Sequence, residues 1–273
     1  MRFYTNVQMV GDNFLVRGYE DGKHFATREK FYPTLFVDSK RKTKYKTLDG
    51  LPVEPVEPGT VRDCREFIKK YNEVENFNIY GNERFIYQYI SEKYPEVEVK
   101  FDTEKIKLTT IDIEVASENG FPDVESCAEE VLLITLQDYA TKQIRTWGRG
   151  TFNNKQENVI YKGFKTEYEL LTDFINWWMI EDNTPEVITG WNSKLYDIPY
   201  LCRRIDRILG EKLKKRMSPW GLVTEEETHI MGRRHLSYDI GGVSQLDYLD
   251  SVSYTHLRAH ETVLDLVCRL LLE

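Results

Sequence analysis

No apolar run in this 273-residue sequence approaches the roughly 20 residues that a membrane-spanning helix needs. Its opening, MRFYTNVQMV, alternates polar and apolar residues where a secretory signal would place a basic segment before an apolar one. These absences point to a soluble cytoplasmic protein without a membrane partner. Cysteine is scarce: Cys64, Cys127, Cys202 and Cys268 stand far apart with no CxxC pair, which argues against a zinc site and against a disulfide framework. Positive charge is also short. Lys and Arg total 37 against 45 Asp and Glu, a formal net charge of -8, which argues against a protein that grips nucleic acid by bulk electrostatics. A nuclease survives this test, because an enzyme that cuts phosphodiesters can bring its positive charge as divalent metal held by carboxylates.

What is present, 41% hydrophobic and 30% charged residues, suffices for a sizeable core and suggests two domains. Short alternating segments at residues 3–10, 13–19, 25–28 and 34–37, separated by Gly11-Asp12 and Asp21-Gly22, predict a small antiparallel sheet. Pro52, Pro55 and Pro58 read as a linker, followed by a helix that Thr60 caps with Asp63 three residues on. A second helix over 84–91 and a strand over 96–101 complete this unit. From residue 106 the pattern becomes α/β: KLTTIDIEVAS, VLLITLQ and residues 142–147 read as strands. Thr166 and Glu169 form a capping-box pattern ahead of a helix whose Leu170, Leu171, Phe174, Ile175 and Trp178 share one face. PEVITG then reads as a short buried strand, and residues 196–209 as a helix that Gly210 stops. Residues 228–238 read as a hairpin with Gly232 and Arg233 at its tip.

The C-terminal stretch does not continue this pattern. Val252 to Glu261 back-translates as one frame of a common sequencing-library adapter, GTC TCT TAT ACA CAT CTC CGA GCC CAC GAG, and Leu266 to Leu272 as its distal part. Residues 252–273 are therefore expected to be a non-native, adapter-derived tail. The natural chain is expected to be cut short near Asp250 or Ser251.

Two elements carry chemistry. In IDIEV, Asp112 and Glu114 lie two residues apart, so both carboxylates point to one face of the strand while Ile111, Ile113 and Val115 point to the other. Adjacent acids repel, and burying them is costly without a cation or hydrogen bonds; an exposed strand with two solvated acids has the same pattern. In TGWNSKLYDIPYL a strand end meets a helix start, with Asn192 in the turn and Asp197 in the first helical turn, where an acid is also favoured by the helix dipole alone. The residues after it, Arg203, Arg204, Arg207, Lys212, Lys214, Lys215 and Arg216, read equally as a solvated face or as phosphate contacts.

An acid pair on a first strand followed by Asn-x4-Asp at a later strand-to-helix junction resembles the first two exonuclease motifs of family B DNA polymerases. KLTTIDIEVAS, the ENGFP at 118–122, ITGWNSKLYDIPYLCRRIDRILGEKLKKRMSP and the LDYLD at 246–250 extend the resemblance to the polymerases of T-even-type tailed phages, over essentially all of residues 1–251. The resemblance implies an N-terminal polymerase domain at 1–105, mixed α+β, and an α/β ribonuclease-H-like 3'-5' exonuclease domain at 106–251. It implies two Mg2+ (or Mn2+) ions, a choice that suits an all-oxygen site. Asp112 would bridge both ions, Glu114 would hold the nucleophile-side ion and orient its water, and Asp197 would bind through the second. Asn192, Phe121, Arg233 and Arg234 would contact DNA, a single-stranded 3' end or a primer-template. The family's third motif, Tyr-x3-Asp, falls beyond LDYLD, so impaired cleavage is expected. A sliding clamp is implied only for the full-length relative, and a monomer in the host cytoplasm for this chain. The competing reading is a single-stranded nucleic-acid-binding module without catalysis, with Tyr4, Phe14 and Tyr19 stacking on bases.

Overall fold

The computed structural model describes residues 2–81, 83–95, 99–118, 120–230, 233–250 and 252. The tail read as adapter-derived lies outside them, apart from Val252. The chain divides between Asp102 and Thr103 into two compact units.

In the first unit β1 (Arg2–Val10), β2 (Asn13–Glu20) and β3 (Lys23–Lys30) form an antiparallel meander. Asp21 and Gly22 both adopt positive φ, 49° and 79°, as a two-residue hairpin turn matched to strand twist requires. The expected single sheet is in fact two. β4 (Leu35–Asp38), β5 (Tyr45–Lys46), β6 (Pro52–Val56) and β7 (Ile79–Tyr80) make a separate sheet in the order β5-β6-β4-β7. The proline-punctuated stretch read as a linker is thus partly strand: Pro52 and Pro55 remove two ladder donors, yet Val53 still fills the interior. α1 (Val61–Tyr71) starts with the expected capping box, Thr60 N–H donating to the Asp63 carboxylate at 2.8 Å and Asp63 N–H to Thr60 Oγ1 at 3.4 Å. α2 (Phe85–Lys93) lays Phe85 and Tyr89 on the same core. Phe14, expected as a base-stacking candidate, is fully buried and stacks on Tyr89 at 4.8 Å. Of the strand expected over 96–101, residues 96–98 lie outside the described residues and 99–101 are not strand.

The second unit is built on a six-stranded mixed sheet. Its elements are β8 (Leu108–Val115), β9 (Val131–Asp138), β10 (Ile144–Arg149), β11 (Val159–Phe164), α3 (Glu167–Trp178), β12 (Val187–Gly190), α4 (Asp197–Leu209), the hairpin β13 (Val223–Ile230) and β14 (Arg233–Ile240), and β15 (Ser244–Asp247). The sheet order is β11-β10-β9-β8-β12-β15. Antiparallel pairing holds β8, β9 and β10 together, and β11, β12 and β15 are added in parallel. β11, unforeseen in sequence, sits at an edge, and its VIYKGF carries Lys and Gly where a central strand would be apolar. α3 buries the predicted stripe of Leu170, Leu171, Phe174, Ile175 and Trp178. Trp147 meets Phe174 edge-on at 5.2 Å, and Trp178 Nε1 donates to Met217 O at 2.8 Å. α4 ends at Gly210, whose φ of 90° suits glycine alone. The hairpin tip at 231–232 lies outside the described residues.

The basic residues of α4 do not form a free surface. Arg204 is buried, and its guanidinium grips the buried Glu167 carboxylate through Nε at 2.6 Å and Nη2 at 2.7 Å. Its Nη1 donates to the carbonyls of Cys127 and Ala128, while Glu167 also accepts Val131 N–H at 2.9 Å. Arg203 donates to Glu125 O and the Glu225 carboxylate, and Arg207 to Ser126 O and Cys127 O. Arg203 and Arg204 are adjacent and Arg207 lies one turn further on, and all three reach the 125–128 segment, so this part of α4 ties the fold together. Removing one partner of a buried pair leaves the other charge stranded. Arg204→Met is expected to destabilise the protein by about 3–5 kcal/mol in urea titration at neutral pH. Adding Glu167→Gln, which keeps an acceptor for Val131 N–H, is expected to recover part of that loss.

Candidate active site

The geometry starts from where β12 stops. It pairs with β8 over Leu108–Thr110 and ends at Gly190, so that beyond this point β8 has no neighbouring strand on that side among the described residues. Ile113 N–H, inside a strand whose Ile111 and Ile113 side chains are buried, would be left without a partner, at a cost of about 1–3 kcal/mol. The Asp197 carboxylate takes it: Oδ1 accepts Ile113 N–H at 3.0 Å. The first residue of α4 is thereby anchored on the peptide between Asp112 and Glu114. Gly190 allows this approach, since a Cβ there would lie 2.7 Å from Ile111 O and 2.8 Å from Ser193 Cβ.

The turn joining β12 to α4 is held by a residue that sequence reasoning missed. Asp247, at the end of β15 and 8% exposed, accepts Asn192 N–H at 3.0 Å and Lys194 N–H at 2.9 Å with its two oxygens, and Leu249 N–H at 2.8 Å. Asn192 adopts φ 59°, a left-handed position that asparagine tolerates, and its carbonyl accepts Tyr196 N–H at 2.9 Å. In sequence Asp247 stood out only as part of LDYLD, with no role attached to it. Its role depends on the pairing that sets it opposite Gly190.

Asp112 and Glu114 are exposed, as their alternation predicted, and neither carboxylate takes a hydrogen bond or ion pair among the described residues. Asp197 is 5% exposed. Burial pushes its carboxyl up to about 6; the Ile113 N–H works against this, while the charges of Asp112 and Asp247 add to it. Tyr196 lies next to the same charges: burial raises its phenol first, then Asp197, with Glu114 contributing less. Phe121 is 83% exposed and its ring stands 5.2 Å from that of Tyr196. The structure therefore gathers Asp112, Glu114, Asp197, Asn192 and Phe121 around one end of β8. Among the described residues, however, no three Asp, Glu, His or Cys side chains close into a group that would hold a metal unaided. Arg234 is engaged elsewhere, paired with Glu227 and, at 3.8 Å, with Glu125. Arg233 lies on β14 opposite Ile230, and its side chain is outside the described residues.

The raised carboxyl gives a pH prediction. Folded Asp197 keeps its proton to about pH 6 and an unfolded Asp to about 3.8, so the folded state loses stability as pH rises between those values and does not regain it above them. Asn keeps the acceptor for Ile113 N–H without the charge. In the presence of a chelator, Asp197→Asn is expected to unfold at higher temperature than the parent at pH 7–8, by about 1–3 kcal/mol. At pH 4 the two are expected to coincide. Calorimetry at both pH values checks this. Asp247→Ala, by contrast, leaves the turn amides of Asn192 and Lys194 unpaired and is expected to lower stability by about 2–4 kcal/mol while speeding amide exchange at those two positions.

Comparison with known proteins agrees with this geometry. A family model described as DNA polymerase family B, exonuclease domain, matches residues 65–260. The DNA-directed DNA polymerase of Enterobacteria phage T4 is 31% identical over 274 residues, covering 91% of this chain and 30% of its own length. That of Escherichia phage RB69 is 29% identical over 276 residues, with the same coverage. The DNA polymerase catalytic subunit of Human herpesvirus 6B (strain Z29) is 36% identical over 104 residues, 36% of this chain and 10% of that protein. The chain spans about 30% of the length of the phage polymerases it matches. A polymerase-type exonuclease sequence thus covers the very strand, turn and helix that carry Asp112, Glu114 and Asp197, and the chain belongs to the family B DNA polymerases, its residues 65–260 matching their exonuclease domain.

Proposed function

We propose that residues 106–251 form a ribonuclease-H-like 3'-5' exonuclease domain that shortens DNA from its 3' end, and that residues 1–105 are the N-terminal domain of the same polymerase. The observation that carries the reading is the seat of Asp197: a buried carboxylate hydrogen-bonded to the peptide between two exposed acids, with its charge uncompensated. Three carboxylates offer only oxygen donors, which suits Mg2+ or Mn2+. Mg2+ is commonly held by one or two carboxylates together with the phosphates of the substrate.

Asp112, Glu114 and Asp197 would hold the ions. Two bound divalent ions supply an attacking hydroxide and charge stabilisation for the leaving 3' oxygen. Glu114, exposed at the strand end, orients the attacking water by accepting its hydrogen bond. Asn192, fixed in the turn by Asp247, positions the terminal nucleotide. Phe121, standing on Tyr196 beside the carboxylates, offers a ring on which the last base stacks, an interaction worth about 1–3 kcal/mol.

The test is a 5'-labelled single strand incubated with the protein and Mg2+, its products resolved by length. A ladder shortened from the 3' end is expected, absent with chelator and at least about 100-fold slower in Asp112→Ala. Phe121→Ala is expected to raise KM with a smaller change in kcat. Strand binding that persists without Asp112-dependent cleavage would overturn the reading.

A further inference from the structure

At the end of β8 remote from the acids lies a polar cavity, of about 200 Å3, which the proposed exonuclease chemistry does not use. Thr109 lines it. This residue is 3% exposed and its Oγ1 has no hydrogen-bond partner, an uncommon state for a buried hydroxyl. Arg145 also lines the cavity, its guanidinium carbon 5.1 Å from the Trp177 ring and 5.8 Å from that of Trp147. Among the described residues that guanidinium makes no hydrogen bond or ion pair, so its planar set of N–H donors is held in place by the indoles and left uncommitted. Lys107 stands 5.7 Å from Trp177 and gives one donor to Asp182 O at 2.6 Å. Burial lowers its pKa, and Arg145 adds to this, against the raising effects of Asp138, Glu186 and Asp182. The one acid in the lining, Asp138, has Oδ1 occupied by the N–H and hydroxyl of Thr141 at 2.7 and 2.8 Å. The lining itself carries two cations, Lys107 and Arg145, and one acid, while Glu186 and Asp182 act on Lys107 from outside it.

We propose that this cavity binds a small oxyanion, specifically a phosphate group, held by the Arg145 fork, the Lys107 ammonium and the Thr109 hydroxyl. The three donors come from separate points on β10, the entry to β8 and β8 itself, a spread that suits a tetrahedral group with oxygens in several directions. Guanidinium recognises phosphate bidentately, and a phosphate oxygen supplies the acceptor that Thr109 lacks. The group can arrive as inorganic phosphate or as the phosphate of a mononucleotide.

The test is calorimetric titration and thermal unfolding of the whole chain in chelator at constant ionic strength, with inorganic phosphate, a deoxynucleoside monophosphate and acetate, each to about 10 mM. A saturable heat and a rise in Tm with phosphate, larger than with acetate, are expected. Equal response to the mononucleotide assigns the site to the phosphate group alone. A stronger response assigns added contact to the nucleoside, and both outcomes support the proposal. Arg145→Gln and Thr109→Val are each expected to weaken binding by about 10-fold or more. Thr109→Val removes an unpartnered hydroxyl, so its Tm without ligand is expected to equal or exceed that of the parent, which separates lost binding from lost folding. Asp112→Ala is expected to bind phosphate unchanged. The absence of any saturable response to phosphate or mononucleotide, or a response that survives both cavity substitutions, would overturn the site.

Discussion

In the middle of the central sheet, beside β8, the strand ladder stops before the strand does. Past Thr110 the β12 side of β8 carries no strand among the described residues, and the Ile113 amide there finds its acceptor outside the ladder. A serine or asparagine side chain would have satisfied the same geometric need. A carboxylate adds a buried negative charge beside two more, and the folded protein bears the repulsion. The rest of this region is arranged around that choice: Gly190 for close approach, Asn192 for a left-handed turn, Asp247 to fix the turn's amides. A backbone requirement and a chemical requirement are met by one side chain.

The distribution of positive charge completes the logic. The arginines after Asp197 are spent on carbonyls and carboxylates of the fold, with Arg204 and Glu167 joining the middle of α4 to the start of α3 and the start of β9. They hold in place the helix on which Asp197 rides and do not neutralise the acids at its first turn. That end of the sheet stays anionic, a property consistent with a site completed by bound cations and unsuited to gripping phosphates unaided.

Local signals were legible in the sequence. Both capping boxes, Thr60 with Asp63 and Thr166 with Glu169, are complete within four residues, and each helix begins where they mark it. IDIEV showed its two faces because alternation needs no partner to be read. Features set by long-range pairing were hidden. Nothing in VIYKGF tells that an edge position excuses its polarity, and the prolines of β6 conceal a strand whose pairing is established with β4, some fifteen residues before it. Arg204 looked like its basic neighbours because burial depends on Glu167, which lies 37 residues away. Asp247 escaped for the same reason: its value lies in the register between β12 and β15.

That register has a temporal side. The turn carrying Asn192 is capped by a residue 55 positions further along the chain. On a ribosome, β8, β12 and α4 are all made before the acceptor of the turn's amides emerges. Closing so long a loop is an entropic cost met late. Among the described residues β15 is the last strand of this sheet to be synthesised, and it carries the acceptor that the turn's amides need.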